Sequence, residues 1–280
     1  MKEKNMKQNV KSKFRMLLAA ITFSAALALL FAALALPGRL AAQHNQGANP
    51  KHHHYKLIDL GTFGGPTSYF TNGFDGILNN HGTAAGWADT STPDPVPSFC
   101  YNPDCFVSHA FQWQSGVLTD LGTLVAGWSS SAFWISGNGL IAGNSQNGEI
   151  DPLIPGFPEF RAVLWQKGGI TDLGTLEGGY ESFAGAVNNR GQVAGAALNT
   201  IPDPFCLLAP GFCTTETRAF LWQNGAMQDL GSLGTGNDAL ASLINERGQI
   251  AGISYTNTTP NPITGLPTQD PFLWQKRHHA

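Results

Sequence analysis

Beyond its N-terminal part, the chain distributes its apolar residues in short runs broken by Gly, Asn and Asp, with no helical period. Ala219-Phe220-Leu221-Trp222 is apolar or aromatic on both alternating faces, the pattern of a strand covered on two sides. Asn224-Gly225 then supplies a two-residue hairpin turn, and Ala226 to Leu230 is the return strand. Upstream, Ala184 to Asn188 and Gln192 to Gly195 flank Asn188-Asn189-Arg190-Gly191. There Asn opens a type I turn and Gly takes the left-handed position that closes a hairpin. Asn245-Glu246-Arg247-Gly248 repeats that turn. Each unit is therefore expected to hold four short antiparallel strands.

The unit recurs four times. Asp-Leu-Gly stands at Asp59, Asp120, Asp172 and Asp229; Ala-Gly ends at Gly86, Gly143, Gly195 and Gly252; Trp-Gln begins at Trp113, Trp165, Trp222 and Trp274. A turn residue lies between the first two landmarks, at Asn79, Ser136, Asn188 and Asn245. From Asp to that turn the step is 20, 16, 16 and 16 residues, and from the turn to Ala-Gly it is 7 in every copy. Only the stretch from Ala-Gly to Trp varies freely, running 27, 22, 27 and 22 residues. Rigid spacing marks paired strands and variable spacing marks a surface loop.

Four-stranded, glycine-rich units at this interval predict an all-β chain, a four-bladed β-propeller. The region that carries it is residues 55–280, behind a disordered linker at 43–54. The chain ends its pattern at Trp274-Gln275 and begins it at Leu57-Ile58-Asp59-Leu60, a return strand without a partner. Pairing those N- and C-terminal strands would close the ring and remove two exposed sheet edges. The alternative is a segment of a longer array.

Charge and cysteines place the chain. Lys2, Lys4, Lys7, Lys11, Lys13 and Arg15 precede an almost uncharged run from Met16 to Leu36, with Ala41 and Ala42 as a cleavage site. Residues 1–42 read as a signal peptide, or as an uncleaved N-terminal anchor, since the run is long enough to span a bilayer. The expected location is secreted, extracellular or periplasmic. The chain beyond residue 42 carries nine basic and eighteen acidic residues, which argues against nucleic acid as a partner and leaves the membrane only to the anchor alternative. Cys100 with Cys105 and Cys206 with Cys213 lie close in sequence without a CxxC knuckle, so two loop-closing disulfides are expected.

Ser108-His109-Ala110-Phe111 with Trp113-Gln114, and Thr217-Arg218-Ala219-Phe220-Leu221-Trp222-Gln223, each followed by Asp-Leu-Gly, resemble the HAF family of extracellular repeat proteins of bacteria. The likeness covers Tyr55 to Gln275. His-Ala-Phe itself occurs once; its counterparts are Arg161-Ala162-Val163, Arg218-Ala219-Phe220 and Asp270-Pro271-Phe272. The resemblance implies a secreted or surface repeat protein with propeller-like organisation, and brings no catalytic residue and no cofactor.

The four aspartates can ring an axis and hold Ca²⁺, but once per unit, ahead of Leu-Gly, they read first as turn-fixing residues. The four repeated tryptophans read as filling between sheets. Aromatics outside the repeat, Trp87, Tyr101, Trp128, Phe157 and Tyr255, are the binding candidates, being in or beside the variable loops. His52, His53 and His54 with His278 and His279 form a candidate site for Zn²⁺, Cu²⁺ or Ni²⁺ if the ends meet.

No Gly-x-Ser-x-Gly, His-Glu-x-x-His or P-loop is present. The leading expectation is a monomeric, non-catalytic binding or scaffold module that presents loops to an extracellular protein or glycan. One alternative is a polysaccharide hydrolase or lyase built on loop carboxylates such as Asp94, Asp104, Asp151, Glu159, Asp203 and Glu216. The other is a structural surface array.

Overall fold

The computed structural model describes residues 55–71, 75–210 and 213–276. Ile58–Ala280 is one compact unit. The leader at 1–42, the linker at 43–54 and the five histidines of the metal expectation lie outside the described residues.

Fifteen strands form four antiparallel sheets, with one short 3-10 turn at Asp75–Ile77 and no α-helix among the described residues. The first sheet holds β1 (Gly64–Tyr69), β2 (Ala84–Pro93), β3 (Phe106–Gln114) and β4 (Val117–Asp120). The second holds β5 (Ser130–Ile135), β6 (Ile141–Ile150), β7 (Pro158–Gln166) and β8 (Gly169–Asp172). The third holds β9 (Ser182–Val187), β10 (Val193–Pro202), β11 (Thr215–Gln223) and β12 (Ala226–Asp229). The fourth has three strands, β13 (Ala239–Ile244), β14 (Ile250–Pro260) and β15 (Pro267–Trp274). Strand order follows chain order within each sheet.

The turns form as their residues dictate. Gly191 donates its N–H to the Asn188 carbonyl at 3.0 Å, and Asn188 Oδ1 accepts from the N–H groups of Arg190 and Gln192. The outer hairpins pivot on Ser115-Gly116, Lys167-Gly168 and Asn224-Gly225, whose residues all have positive φ, as a type I′ turn requires. The four residues by which the first copy exceeds the others accommodate Asp75–Ile77.

The long strands extend further into the variable stretch than the apolar runs suggested. β10 and β11 include Asn199-Thr200 and Thr215-Glu216, whose side chains hydrogen-bond across the ladder: Asn199 Nδ2 donates to Glu216 Oε2 at 2.8 Å. True loops are therefore confined to residues 94–105, 151–157, 203–214 and 261–266. An Asp or Asn opens each of them. Asp94, Asp151, Asp203 and Asn261 accept from the N–H two residues on, at 2.8, 2.6, 2.7 and 2.9 Å.

Three apolar seams join successive sheets. Ala85 and Ala110 meet Ala132, Ile135, Ile141, Val163 and Trp165 between the first and second. Leu140, Ala162 and Leu164 meet Val187, Val193 and Phe220 between the second and third. Ala194, Ala219 and Leu221 meet Ala239, Ala241 and Ile250 between the third and fourth. Alanine recurs at these seams because the sheets approach closely there. Turn-to-turn bonds run alongside: Asn79 Nδ2 donates to the Ser136 carbonyl, Asn138 Nδ2 to that of Asn189, and Asn188 Nδ2 to that of Asn245.

The expected closure is not formed among the described residues. Residues 57–60 are not a strand, and β15 has β14 as its sole neighbour there. Leu273 on β15 is 64% exposed, whereas its counterpart Leu221 is buried. The side chains at this edge differ from those of the first and third sheets, where His109 Nδ1 lies 2.7 Å from Asp120 Oδ2 and Arg218 Nε lies 2.9 Å from Asp229 Oδ2. The corresponding residue on β15 is Asp270, which would oppose Asp59 with like charge. Pro267 and Pro271 further blunt this edge.

Candidate functional site

A cavity of about 500 Å³ is lined by inner-strand residues of the last three sheets, by Asn144, Phe160 and Ala196 of β6, β7 and β10, by Thr71 just after β1, and by loop residues. Phe133 of β5, Phe183, Ala184 and Gly185 of β9, and Leu240, Ala241 and Ser242 of β13 form the inner wall. Phe99, Cys100, Tyr101, Phe157 and Leu208 come from the loops that join the two long strands of the first three sheets. At one inner position, sheet by sheet, the residue is Phe133, Gly185 and Ser242. Gly185 is needed for contact: a Cβ there would stand 2.8 Å from the Ala241 carbonyl oxygen. β9 and β13 therefore approach within backbone contact.

The aromatic rings form a continuous cluster. Phe99 meets Phe157 edge-on with centroids 5.9 Å apart, Phe157 lies 5.5 Å from Phe160, and Phe160 stacks on Phe183 at 5.7 Å. Tyr101 sits 5.7 Å from Phe160. Such offset and edge contacts hold rings in fixed orientations, so the cavity is pre-formed.

The loop carrying Phe99, Cys100 and Tyr101 is anchored from below. The Cys100–Cys105 disulfide closes it. Trp87 Nε1 donates to Asn102 Oδ1 at 3.3 Å, Tyr69 donates to Asp104 Oδ2 at 3.0 Å, and Ser108 donates to Asp89 Oδ1 at 2.6 Å. Asn102 Nδ2 also bonds Ser108 Oγ. Burial, with the neighbouring Asp104 carboxylate, pushes Asp89 up to about 6. The second disulfide, Cys206–Cys213, is buried with Leu198, Leu208 and Ala209 and braces the loop that contributes Leu208.

No Asp, Glu, His, Lys or Arg lines the cavity among the described residues. The Tyr101 phenol is pushed up to about 12 by burial, and its hydroxyl bonds Ser131 Oγ. The wall is thus neutral at any ordinary pH. Thr71 lines the cavity, and its Oγ1 is buried out of reach of solvent with no hydrogen-bond partner among the described residues.

Of the five aromatics singled out from sequence, Tyr101 and Phe157 line the cavity. Trp87 stands behind its wall, stacked on Tyr69 at 5.7 Å and meeting Phe133 edge-on. Trp128 is half-buried and does not line it. Tyr255 is 1% exposed and its hydroxyl donates to the Phe205 carbonyl, so it is a buried strut rather than a contact residue. Phe99, Phe133, Phe160 and Phe183 were missed. Phe99 beside Cys100 carried a usable signal as a loop aromatic; the others sit in strands, where an aromatic reads as core.

The repeated residues have local partners. Asp59, Asp120, Asp172 and Asp229 each accept from the N–H of the glycine two residues on, at 3.0, 2.7, 2.8 and 2.8 Å. Trp165, Trp222 and Trp274 pack into the three seams in turn, and Trp113 is half-buried at the start of the array. No group of His, Cys, Asp and Glu among the described residues has metal-binding geometry.

The loop carboxylates are engaged by neighbours. Glu159 Oε2 accepts from Asn147 at 2.7 Å and from Arg161 at 3.1 Å, and Asp203 Oδ2 accepts from Asn237 at 2.7 Å. None of the six lines the cavity.

The two disulfides suit an oxidising, extracellular setting. Among the described residues no helix is long and apolar enough to cross a membrane. No protein-family model matches the chain, and comparisons with curated proteins and with solved structures found no match.

Proposed function

We propose that this chain is an exported, non-catalytic binding module of the HAF-like extracellular type. Its sheets act as propeller-type blades, and its binding site is the aromatic cavity and the loop mouth around it. One observation carries the reading: a pre-formed cavity of about 500 Å³, rich in aromatic rings and, among the described residues, without an acid, base or cation in its lining. General acid–base catalysis most often uses His, Asp, Glu or Lys at the reacting atoms. Binding of an apolar group needs only shape and dry surface.

The partner in this reading is an extracellular molecule that inserts an apolar group between the loops. The neutral dye prodan tests it, since its emission shifts on entering an apolar site. The expected result is a saturable shift with one site per chain that Ser242→Phe, which puts a ring at the inner position where β5 carries Phe133, abolishes while near-ultraviolet circular dichroism is retained. Prodan binding unchanged in that variant overturns the assignment.

A further inference from the structure

The cavity's chemistry narrows what it can take. Its volume lies within the range of about 300–1,000 Å³ typical of small-molecule sites. A charged ligand would give up its water to a wall that offers no counter-charge among the described residues, so the wall selects against ions. Ring faces and edges from Phe99, Phe157, Phe160 and Phe183 suit another planar ring better than a flexible chain, which would also lose rotamer freedom on entry.

Four lining side chains carry a hydroxyl or an amide: Thr71, Tyr101, Asn144 and Ser242. Thr71 Oγ1 is sealed off, and the Tyr101 hydroxyl is engaged with Ser131 Oγ. Asn144 differs. It stands on β6 at 4% exposure, and its Oδ1 accepts from the Ala184 N–H at 3.0 Å. Only the oxygen of the amide can accept that proton, so the contact fixes which way the amide faces. Its Nδ2 makes no hydrogen bond within the described residues and, unlike Thr71 Oγ1, is not sealed inside the protein. For a residue so deeply buried that lines the cavity, the open side of the amide is the cavity itself. Ser242 Oγ is also without a partner, but the residue is only half-buried, where water can serve it. A buried donor left unpaired is costly, and a ligand acceptor that pairs with it recovers that cost.

The fold holds this donor still. Ala184 is tied to Asn144, and the next residue, Gly185, is pressed on the backbone of Ala241. Nor does the repeat account for the amide: one residue after the Ala-Gly glycine the other copies carry Trp87, Ala196 and Ile253.

On these grounds we infer that the cavity binds a small, uncharged, ring-bearing molecule with a carbonyl group, and that Asn144 Nδ2 donates the hydrogen bond that reads that carbonyl. The inference rests on the cavity being the binding site and adds the class of ligand and the specificity residue.

The test uses the full chain at pH 7 in isothermal titration with three probes built on one ring system. They are 2-acetylnaphthalene, 2-isopropenylnaphthalene, in which a CH₂ replaces the carbonyl oxygen, and naphthalene-2-sulfonate. The ketone is expected to bind about 2- to 10-fold tighter than the alkene, the net worth of one hydrogen bond. The sulfonate is expected to bind at least about 10-fold weaker than the ketone, given the cost of stripping its water. Asn144→Leu, close in size and without the amide, brings the ketone down to the affinity of the alkene, whereas Ser242→Ala preserves the preference. Near-ultraviolet circular dichroism checks the fold of both variants, and the ketone–alkene comparison in the unaltered chain stands whether or not they fold. Equal binding of ketone and alkene there, a preference that survives in Asn144→Leu, or one that is lost in Ser242→Ala overturns the inference and leaves the cavity reading intact. Sulfonate binding as tight as that of the ketone also overturns it. No binding of any probe overturns both.

Discussion

Glu181 offers the sharpest physical test of the fold. It immediately precedes β9, is 3% exposed, and its Oε1 has no hydrogen-bond partner. Burial pushes its carboxyl up to about 8 from an ordinary 4.5, with Asp151 and Glu159 adding to the rise and Arg161 opposing it. The folded protein therefore holds a proton at Glu181 that the unfolded chain releases between pH about 4.5 and about 8. Stability falls across that window as pH rises, because the native state binds the extra proton. At about 1.4 kcal/mol per pH unit the full loss is on the order of 5 kcal/mol. A realistic share is on the order of 2–4 kcal/mol, because local relaxation and water entry soften the burial penalty. Glu181→Gln keeps the shape and removes the titration. Urea unfolding from pH 4 to pH 9, with disulfides intact, is expected to show a decline in the wild type that is shallower in the variant, where Asp89 and Asp238, raised by burial to about 6 and about 7, still lose stability as they ionise. The variant is then the more stable of the two above pH 8. Parallel profiles for the two proteins would refute the account of Glu181 as a neutral buried acid.

Other perturbations have equally direct readings. Phe220→Ala removes a fully buried ring from the seam between the second and third sheets and is expected to cost about 3–5 kcal/mol in urea unfolding. Asp172→Ala loses one turn-fixing hydrogen bond and should cost about 1 kcal/mol, while Asp229→Ala, which also removes one of Arg218's partners, should cost more; thermal melts rank the two. Under dithiothreitol in native buffer, thiol alkylation is expected to reach Cys100 and Cys105 before the buried Cys206 and Cys213. Replacing the latter pair with alanine should cost about 2 kcal/mol by the loop-entropy model.

The repeat was legible because its signals are local. A hairpin turn needs Asn and Gly at set positions, so Asn188 to Gly191 and Asn224-Gly225 announced themselves. The loop-opening Asp94, Asp151, Asp203 and Asn261 form another once-per-copy landmark that escaped notice. They stand 8, 8, 8 and 9 residues after the Ala-Gly glycine and each precedes a Pro, a readable signal hidden inside a stretch whose total length varies. Strand ends were short of their true length because Asn199 and Glu216 are polar, and a cross-ladder hydrogen bond cannot be read from hydropathy. The like charges that closure would bring near each other, Asp59 and Asp270, are invisible until the register is laid down. The cavity was half visible. Tyr101 and Phe157 stood out as loop aromatics, but Phe133 and Phe183 matter only because Gly185 and Ser242 leave space beside them.

The three seams carry a consequence for how damage spreads. The second and third sheets are gripped on both faces, the first and fourth on one. Coupling of this kind acts between nearest neighbours, so a lesion weakens its own seam and decays along the array instead of collapsing the whole. The three-stranded fourth sheet, with Leu273 in water and Asn245 donating to no further turn, is where fraying begins. Leu240, Ala241 and Ser242 belong to that sheet, so the cavity is built partly on a sheet held on one face only among the described residues. A ligand held there would act as a clasp on the loose end, and its occupancy and the order of the fourth sheet would rise and fall together.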